Sequence, residues 1–313
     1  MRIQQKGRAQ QMMHEIIVTK ENMRLDVYIS ENVPEISRSY AVTLITDGLI
    51  LVNGSTAKPS AKTCIGAVIS IDMPEPQMMH AQPENIPLDI VYEDNDLLVI
   101  NKPQGMVVHP APGHASGTLV NALLYYCKGQ LSDINGVIRP GIIHRIDKDT
   151  SGLMIAVKNN DIHEKMAKMI AAHEVVRKYR CCVYGVVDSD KGTIDAPIGR
   201  SSTDRRRMVV RAEGKPSITH FEVVERFGRA TDLSLKLETG RTHQIRSHLA
   251  YIGYPAIGDP IYAAKRTSYG MVGQALHSKS LSFVHPSTGE TISLEIDLPK
   301  YYTDLIGKLR DQN

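Results

Sequence analysis

The sequence is short of the features that mark several protein classes. It has only four cysteines, Cys64, Cys127, Cys181 and Cys182, with no CxxC spacing among them, which argues against a disulfide-stapled secreted framework. They read as reduced thiols of a cytoplasmic protein, most of them core filler. No apolar run approaches the roughly 20 residues of a membrane span. The start, MRIQQKGRAQQMMHE, carries basic residues with no apolar segment behind them, so neither a span nor an export signal is expected. An excess of one charge is missing too: 37 Lys and Arg against 34 Asp and Glu leave +3. Net charge alone therefore says little about nucleic acid, and clustering has to carry that question. Neither a GxxxxGKS or GxxxxGKT loop nor a GxGxxG turn occurs, which argues against a nucleotide cofactor.

What is present divides in two. The chain of 313 residues exceeds the usual size of one domain. The stretch IDMPEPQMMHAQPENIPLD, residues 71–89, has four prolines and no sustained periodicity, as a linker does. The expected organisation is an N-terminal extension over 1–20, a small domain over 21–75, a linker over 76–85 and a large domain over 86–313. In the small domain MRLDVYISENV spaces Leu25 and Ile29 one helical turn apart. ISRSYAVTLITDG opens on an N-cap, Ser37, and stops at Gly48. Two β-rich runs follow around an Asn53-Gly54 turn. The large domain is mostly strand by pattern. LDIVYEDNDLLVINKP reads as two strands about Asp94-Asn95, and TDLSLKLE alternates Leu233, Leu235 and Leu237 with polar residues. KYRCCVYGVV, ITHFEVVE and TISLEIDL behave alike. Helical patterns are confined to GTLVNALLYYC, DIHEKMAKMIAAH and RTHQIRSHLAYIG. Strands outnumber helices without strict alternation, so the fold class is α+β on a mostly antiparallel mixed sheet, with a small α/β domain in front.

Three stretches carry candidate chemistry. In PGIIHRIDKDTSGLMIAVKN, residues 140–159, the cations His144 and Arg145 precede Asp147, and a Thr150-Ser151-Gly152 turn leads into an apolar strand. Asp147 is expected on a loop held between two strands, a favourable position for a catalytic group. In LETGRTHQIRSHLAYIGYPAIGDPIY, residues 237–262, a strand breaks and hands over to a helix. There Arg246 lies roughly 100° from Ile245, at the edge of the apolar face, where a guanidinium can reach a buried carboxylate. Tyr179 is the third candidate. Asp147 with Arg246 is equally well a structural ion pair, and Tyr179 a core aromatic with a bonded hydroxyl. A metal site built from His144, Asp147, His243 and His248 is disfavoured. His243 and His248 are five apart, unlike the pair of HExxH on one helix face.

The segments LLVINKPQGMVVHP, HRIDKDTSG, RKYRCCVYG, LETGRTHQIRSHLAYIGYPAIGDPIY and LHSKSLSFVHP, in this order from about residue 86 to the C-terminus, resemble the pseudouridine synthase family of the RluA type. Within it, the closest likeness is to the RluD-like branch that modifies large-subunit ribosomal RNA. The resemblance implies that Asp147 is the essential aspartate, that Arg246 pairs with it and holds it ionised, and that Tyr179 stacks on the target uracil and serves as base for a later proton transfer. It also implies that His144 and Arg145 contact the substrate, Arg145 occupying the gap left by a flipped uridine. Ile146 replaces the family's usual Leu, and Arg177 stands where the family's KxY strand has lysine. Over about residues 22–75, the segments RLD, SRSYAVTLI, DGLILVNG and KPS resemble the small RNA-binding domain named after ribosomal protein S four. That likeness brings Arg24, Arg38 and Lys58 forward as phosphate contacts.

In GRSSTDRRRMVVRAEGK, residues 199–215, Arg205 and Arg206 lead a cluster of arginines that suits a mobile RNA clamp, and Arg241 faces the same substrate. The expected enzyme isomerises uridine without cofactor, metal or nucleotide, by a carboxylate and a pocket that retains the detached base. Two readings stand beside it: the same chemistry on transfer RNA, and a noncatalytic RNA-binding or ribosome-assembly factor. A monomer is expected.

Overall fold

The computed structural model describes residues 12–73, 81–111, 113–134 and 139–312. The chain separates into two compact units, Met1–Met78 and Met79–Asn313.

In the first unit, strand β1 (Met12–Ile17) is followed by helices α1 (Leu25–Asn32) and α2 (Arg38–Thr46) and strands β2 (Ile50–Val52), β3 (Ser55–Thr56) and β4 (Val68–Met73). The sheet runs β1-β4-β2-β3, antiparallel throughout. Ser37 caps α2 by accepting from the Tyr40 amide. Asn53 and Gly54, with φ of 49° and 75°, make the left-handed pair that a two-residue hairpin requires. Leu25, Tyr28, Ile29, Leu44, Ile45, Ile50, Ile69 and Ile71 form the core between helices and sheet. The sequence set residues 1–20 apart as an extension, but residues 12–17 pair with β4 over Met12↔Met73 to Ile17↔Val68. A strand whose partner lies so far along the chain leaves no local signature. Residues 1–11 of that extension, and 76–80 of the linker, lie outside the described residues.

The proposed phosphate contacts of this unit are partly engaged already. Arg24 donates through Nε and Nη2 to Asp26 at 2.9 and 3.1 Å, and Arg38 donates through Nε to the same carboxylate at 3.0 Å. Their hydrogen bonds draw the buried Asp26 carboxyl down to about 2, Arg24 contributing most. A carboxyl depressed in the folded state gives stability that is complete above its ordinary value near 4 and lost as pH falls through about 2. An acid titration followed by amide exchange in α1 and α2 should show that loss in the native chain, and Asp26→Asn should remove the pH dependence. Lys58 stands in the loop after β3.

The second unit contains β5 (Ile90–Glu93), β6 (Leu97–Lys102), α3 (Leu119–Tyr126), β7 (Ser151–Val157), α4 (Asn160–Ala171), β8 (Val176–Tyr184), β9 (Lys191–Asp195), β10 (Ile198–Arg200), β11 (Met208–Val210), β12 (Ile218–Arg226), β13 (Ala230–Leu237), α5 (Gln244–Tyr251), β14 (Leu276–Val284), β15 (Thr291–Glu295) and α6 (Lys300–Arg310). Nine strands form one sheet in the order β5-β6-β7-β14-β8-β13-β12-β9, with β15 added on β14. Only β7 and β14 run parallel; the other pairs are antiparallel. This is the α+β mixed sheet expected from the strand patterns. The alternation of β13 turns Leu233, Leu235 and Leu237 into a core shared with Tyr179, Cys181 and Val183 of β8, Leu119 and Leu123 of α3 and Ile245 and Leu249 of α5. On the opposite face Cys182, Tyr184 and Ala230 pack against Tyr302, Leu305 and Leu309 of α6. That last helix follows Pro299 and carries Gly307, and the sequence patterns did not single it out. Among the described residues no helix is long and apolar enough to cross a membrane.

The end of β6 is tied to the loop before β7 by a buried lysine. Lys102 Nζ donates to the carbonyls of Pro103, Met106 and Lys148 at 2.8, 2.8 and 3.0 Å. Three acceptors match the three protons of an ammonium. Burial pushes that ammonium down to about 7, and the charges of Asp149 and Asp147 oppose the push. Lys102→Met leaves three carbonyls without their donor and should cost about 2–4 kcal/mol in urea unfolding, with faster amide exchange at residues 147–150.

Candidate active site

The apolar segment before Asp147 is irregular where a strand was expected: in place of a ladder it meets β7 through the bridge Ile142↔Ala156, the Val157 amide on the Gly141 carbonyl at 2.9 Å and the Ile155 amide on His144 Nε2. The loop that follows is nonetheless held from several sides. The Thr150 amide closes a turn on the Asp147 carbonyl at 3.1 Å. Gln104 Nε2 donates to the Asp149 carbonyl at 3.1 Å, and Gln274 Nε2 to Thr150 Oγ1 at 3.0 Å. At the start of β7, Gly152 has φ 107° and lies directly against the Ser278 backbone, where a Cβ would collide. Only glycine meets both conditions. The Asp147 side chain is thereby presented on a fixed loop, 17% exposed.

Helix α5 brings the counter-charge. Its start is ordered by Gln244, whose Oε1 accepts from the Arg241 amide at 2.9 Å and from Thr239 Oγ1 at 2.8 Å. His243, at the N-cap, adopts φ 53° and ψ 22°, a left-handed backbone. One turn of helix then points Arg246 inward, with its side chain 4% exposed. Its Nη1 donates to Asp147 Oδ2 at 2.8 Å, while Nε and Nη2 grip Asp259 at 2.6 and 2.9 Å. Asp259 Oδ1 also accepts from the amides of Ile261 and Tyr262 at 2.8 and 3.0 Å. Burial works against the charge on each partner, yet the pairing prevails, holding Arg246 above and Asp259 below their ordinary values. The guanidinium lies 5.3 Å from the centre of the Tyr262 ring. Arg246 is therefore a fixed fork between a fully buried acid and a partly open one. Sequence reasoning found Arg246 and Asp147 but missed Asp259, although GDPIY stands at the end of the same motif.

Tyr179 lies on β8 between Leu235 of β13 and Ser278 of β14, 5% exposed. Burial pushes its phenol up, and the Asp147 charge adds to this against the opposing Arg177. The buried phenol offers the site a ring face and a hydroxyl. Asp147, Tyr179 and Arg246 line one cavity of about 50 Å³, joined by Arg145, Arg241 and His243. His243 Nε2 is 3.8 Å from Asp147 Oδ1, and burial lowers its imidazole against the pull of Asp147. A wider cleft of about 980 Å³ extends past these residues to His109, Arg139, Arg177 and the C-terminal end of α4.

Not every candidate reaches that cleft on equal terms. His144 is buried, and its Nε2 accepts from the Ile155 amide at 2.9 Å. It fastens the loop to β7, with its imidazole pushed down to about 3 by burial and by Arg177. Arg145 is exposed at the cleft, and Arg241 donates Nε to the Pro216 carbonyl at 3.2 Å. The arginine cluster is a hairpin of β10 and β11, not a free loop. It is docked by Tyr262 Oη, which binds both the amide and the carbonyl of Met208 at 2.9 and 2.8 Å, and by Ser247 Oγ. At its tip Arg206 pairs with Asp204, and the Arg205 carbonyl accepts from Arg200. His248 is a core group, bound to Thr219 Oγ1 and the Ala196 carbonyl at 2.9 Å each. Among the described residues no group of three or more His, Cys, Asp or Glu could hold a metal.

Two family models match this chain: RNA pseudouridylate synthase over residues 96–251, which contains Asp147, Tyr179 and Arg246, and the S4 domain over 23–69. The uncharacterized RNA pseudouridine synthase YlyB of Bacillus subtilis is 48% identical over 291 residues, covering 93% of this chain and 95% of that protein. The chain belongs to the RNA pseudouridine synthase family. The ribosomal large subunit pseudouridine synthase D of Pseudomonas aeruginosa is 42% identical, covering 92% of each chain. The solved structure of human RNA pseudouridylate synthase domain containing 1 is 25% identical, with a TM-score of 0.55 over 75% of this chain and 97% of that one. The chain is thus an isomerase acting on RNA. Pseudouridine formation breaks the N1–C1′ bond of uridine and makes C5–C1′; the proton on C5 is lost and one is gained at N1, so composition is unchanged. Such a reaction needs a carboxylate beside the sugar and walls that keep the freed uracil from leaving.

Proposed function

We propose that this pseudouridine synthase modifies uridines of large-subunit ribosomal RNA, with Asp147 as the catalytic carboxylate, Arg246 as its partner and Tyr179 as the face on which the uracil rests. The observation that carries the reading is the single guanidinium that joins Asp147 to the buried Asp259, at 2.8 and 2.6 Å. A carboxylate kept partly open by a fixed cation is arranged to meet a sugar carbon or the base, and one needed only for stability would be enclosed like Asp259. Arg145 fills the space of the flipped uridine, and Arg241, Arg205 and Arg206 hold the surrounding backbone. The S4 domain contributes Arg24, Arg38 and Lys58 as further contacts to RNA phosphates. The ribosomal substrate is supported by the names of relatives that match over nearly the whole chain. The protein acts as a cytoplasmic monomer. Large-subunit ribosomal RNA and transfer RNA from cells lacking this protein supply the test. Incubation with the chain should add pseudouridines at discrete positions of the ribosomal RNA and none in transfer RNA; the reverse pattern would refute the assignment.

A further inference from the structure

The wide cleft contains a cation that the site around Asp147 does not use. Arg177 stands on β8 two residues before Tyr179, and so on the same face of the strand. It is 4% exposed, and it lines the wide cleft but not the small cavity around Asp147. Its Nε has no hydrogen-bond partner, and among the described residues no carboxylate pairs with its guanidinium. The two acids that line the cleft are engaged elsewhere, Asp147 by Arg246 and Glu238 by His220 at 2.6 Å. The other titratable groups that line the cleft are Arg139, Arg145, Arg241, the phenol of Tyr179 and the imidazoles of His109, His144, His173 and His243, none of them a carboxylate. A desolvated guanidinium with no counter-charge is costly to keep. Gly240 supports it from behind, since a Cβ there would lie 2.9 Å from Nη1.

We propose that Arg177 is the seat of one phosphodiester of the bound RNA, fixing the backbone beside the target uridine while the base turns toward Tyr179. This rests on the reading of the cleft as the RNA site. A guanidinium fits two phosphate oxygens at once, and a buried one gains most from the contact because nothing else offsets its charge. The partner is a phosphate and not the uracil, because Arg177 lines the wide cleft but is absent from the small cavity in which Asp147 and Tyr179 meet Arg246. Arg177 is thus a positioning residue: it sets register on the strand without reading a base.

The test uses the full chain and a ribosomal RNA fragment carrying one target uridine, still unmodified, made with a single neutral methylphosphonate at each linkage around that uridine in turn. In the native chain, one linkage should stand out, its neutralisation lowering kcat/KM about tenfold or more through KM. Arg177→Gln should show a comparable loss on unaltered RNA and no further loss at that one linkage. Arg177→Lys should keep most of the activity, and Gly240→Ala, which displaces the guanidinium without removing charge, should give a smaller loss at the same linkage. If Arg177→Gln does not fold, the Lys and Gly240→Ala variants decide the matter alone. Losses that multiply independently at every linkage would overturn the assignment. Failure of the native chain to isomerise unaltered RNA would instead refute the reading of the cleft itself.

Discussion

Asp147→Asn is expected to abolish pseudouridine formation, by about 10⁴-fold or more, while RNA binding and folding stay close to native. Asparagine keeps the shape of the side chain but cannot attack carbon or accept a proton with a full negative charge. Its amide still fits beside Arg246, and Arg246 keeps both contacts to Asp259, so no buried charge is left unpaired. Single-turnover product formation at saturating enzyme, with affinity measured separately, distinguishes lost chemistry from lost binding. A noncatalytic RNA-binding factor would lose nothing.

Arg246→Met is expected to fail in two ways at once. It leaves Asp259 buried with only the two amides of Ile261 and Tyr262 for its charge. Removing one member of a buried pair typically costs about 3–5 kcal/mol. It also takes from Asp147 its hydrogen-bond donor at 2.8 Å, and the rate of the bound complex should fall by about 10²–10³-fold. Arg246→Lys keeps the charge but not the fork. A point charge cannot bind Asp259 through two atoms and Asp147 through a third. This variant should therefore recover much of the stability and little of the rate. Thermal unfolding and single-turnover rates on the two variants separate these effects, and full activity in Arg246→Met would show that the pair is structural only.

The parts of this molecule that the sequence revealed are those governed by local pattern. Alternation made β13 visible, Ser37 and Gly48 bounded α2, and Asn53-Gly54 marked a hairpin, because each depends on neighbours within a few residues. The paired residues Asp147 and Arg246, 99 apart, were legible only because long motifs resemble a known family; spacing alone allowed an inert ion pair. What stayed hidden depends on tertiary partners. β1 exists because of β4, and Asp259 matters because the chain returns to Arg246 13 residues on. The arginine cluster looked like a mobile loop since nothing local discloses that Tyr262 Oη binds Met208 on both sides. His144 reads as a substrate contact from its motif, yet the Ile155 amide already occupies its Nε2.

The decisive measurement is tritium release by the native chain from unmodified large-subunit ribosomal RNA labelled at uracil C5, with a C6-labelled sample alongside. Release from C5 in step with pseudouridine formed, with the C6 label retained and no release by Asp147→Asn, is the expected result, since only the carbon that joins the sugar gives up its hydrogen. Retention of the C5 label by the native chain, or equal release by Asp147→Asn, would contradict uridine isomerisation by this carboxylate.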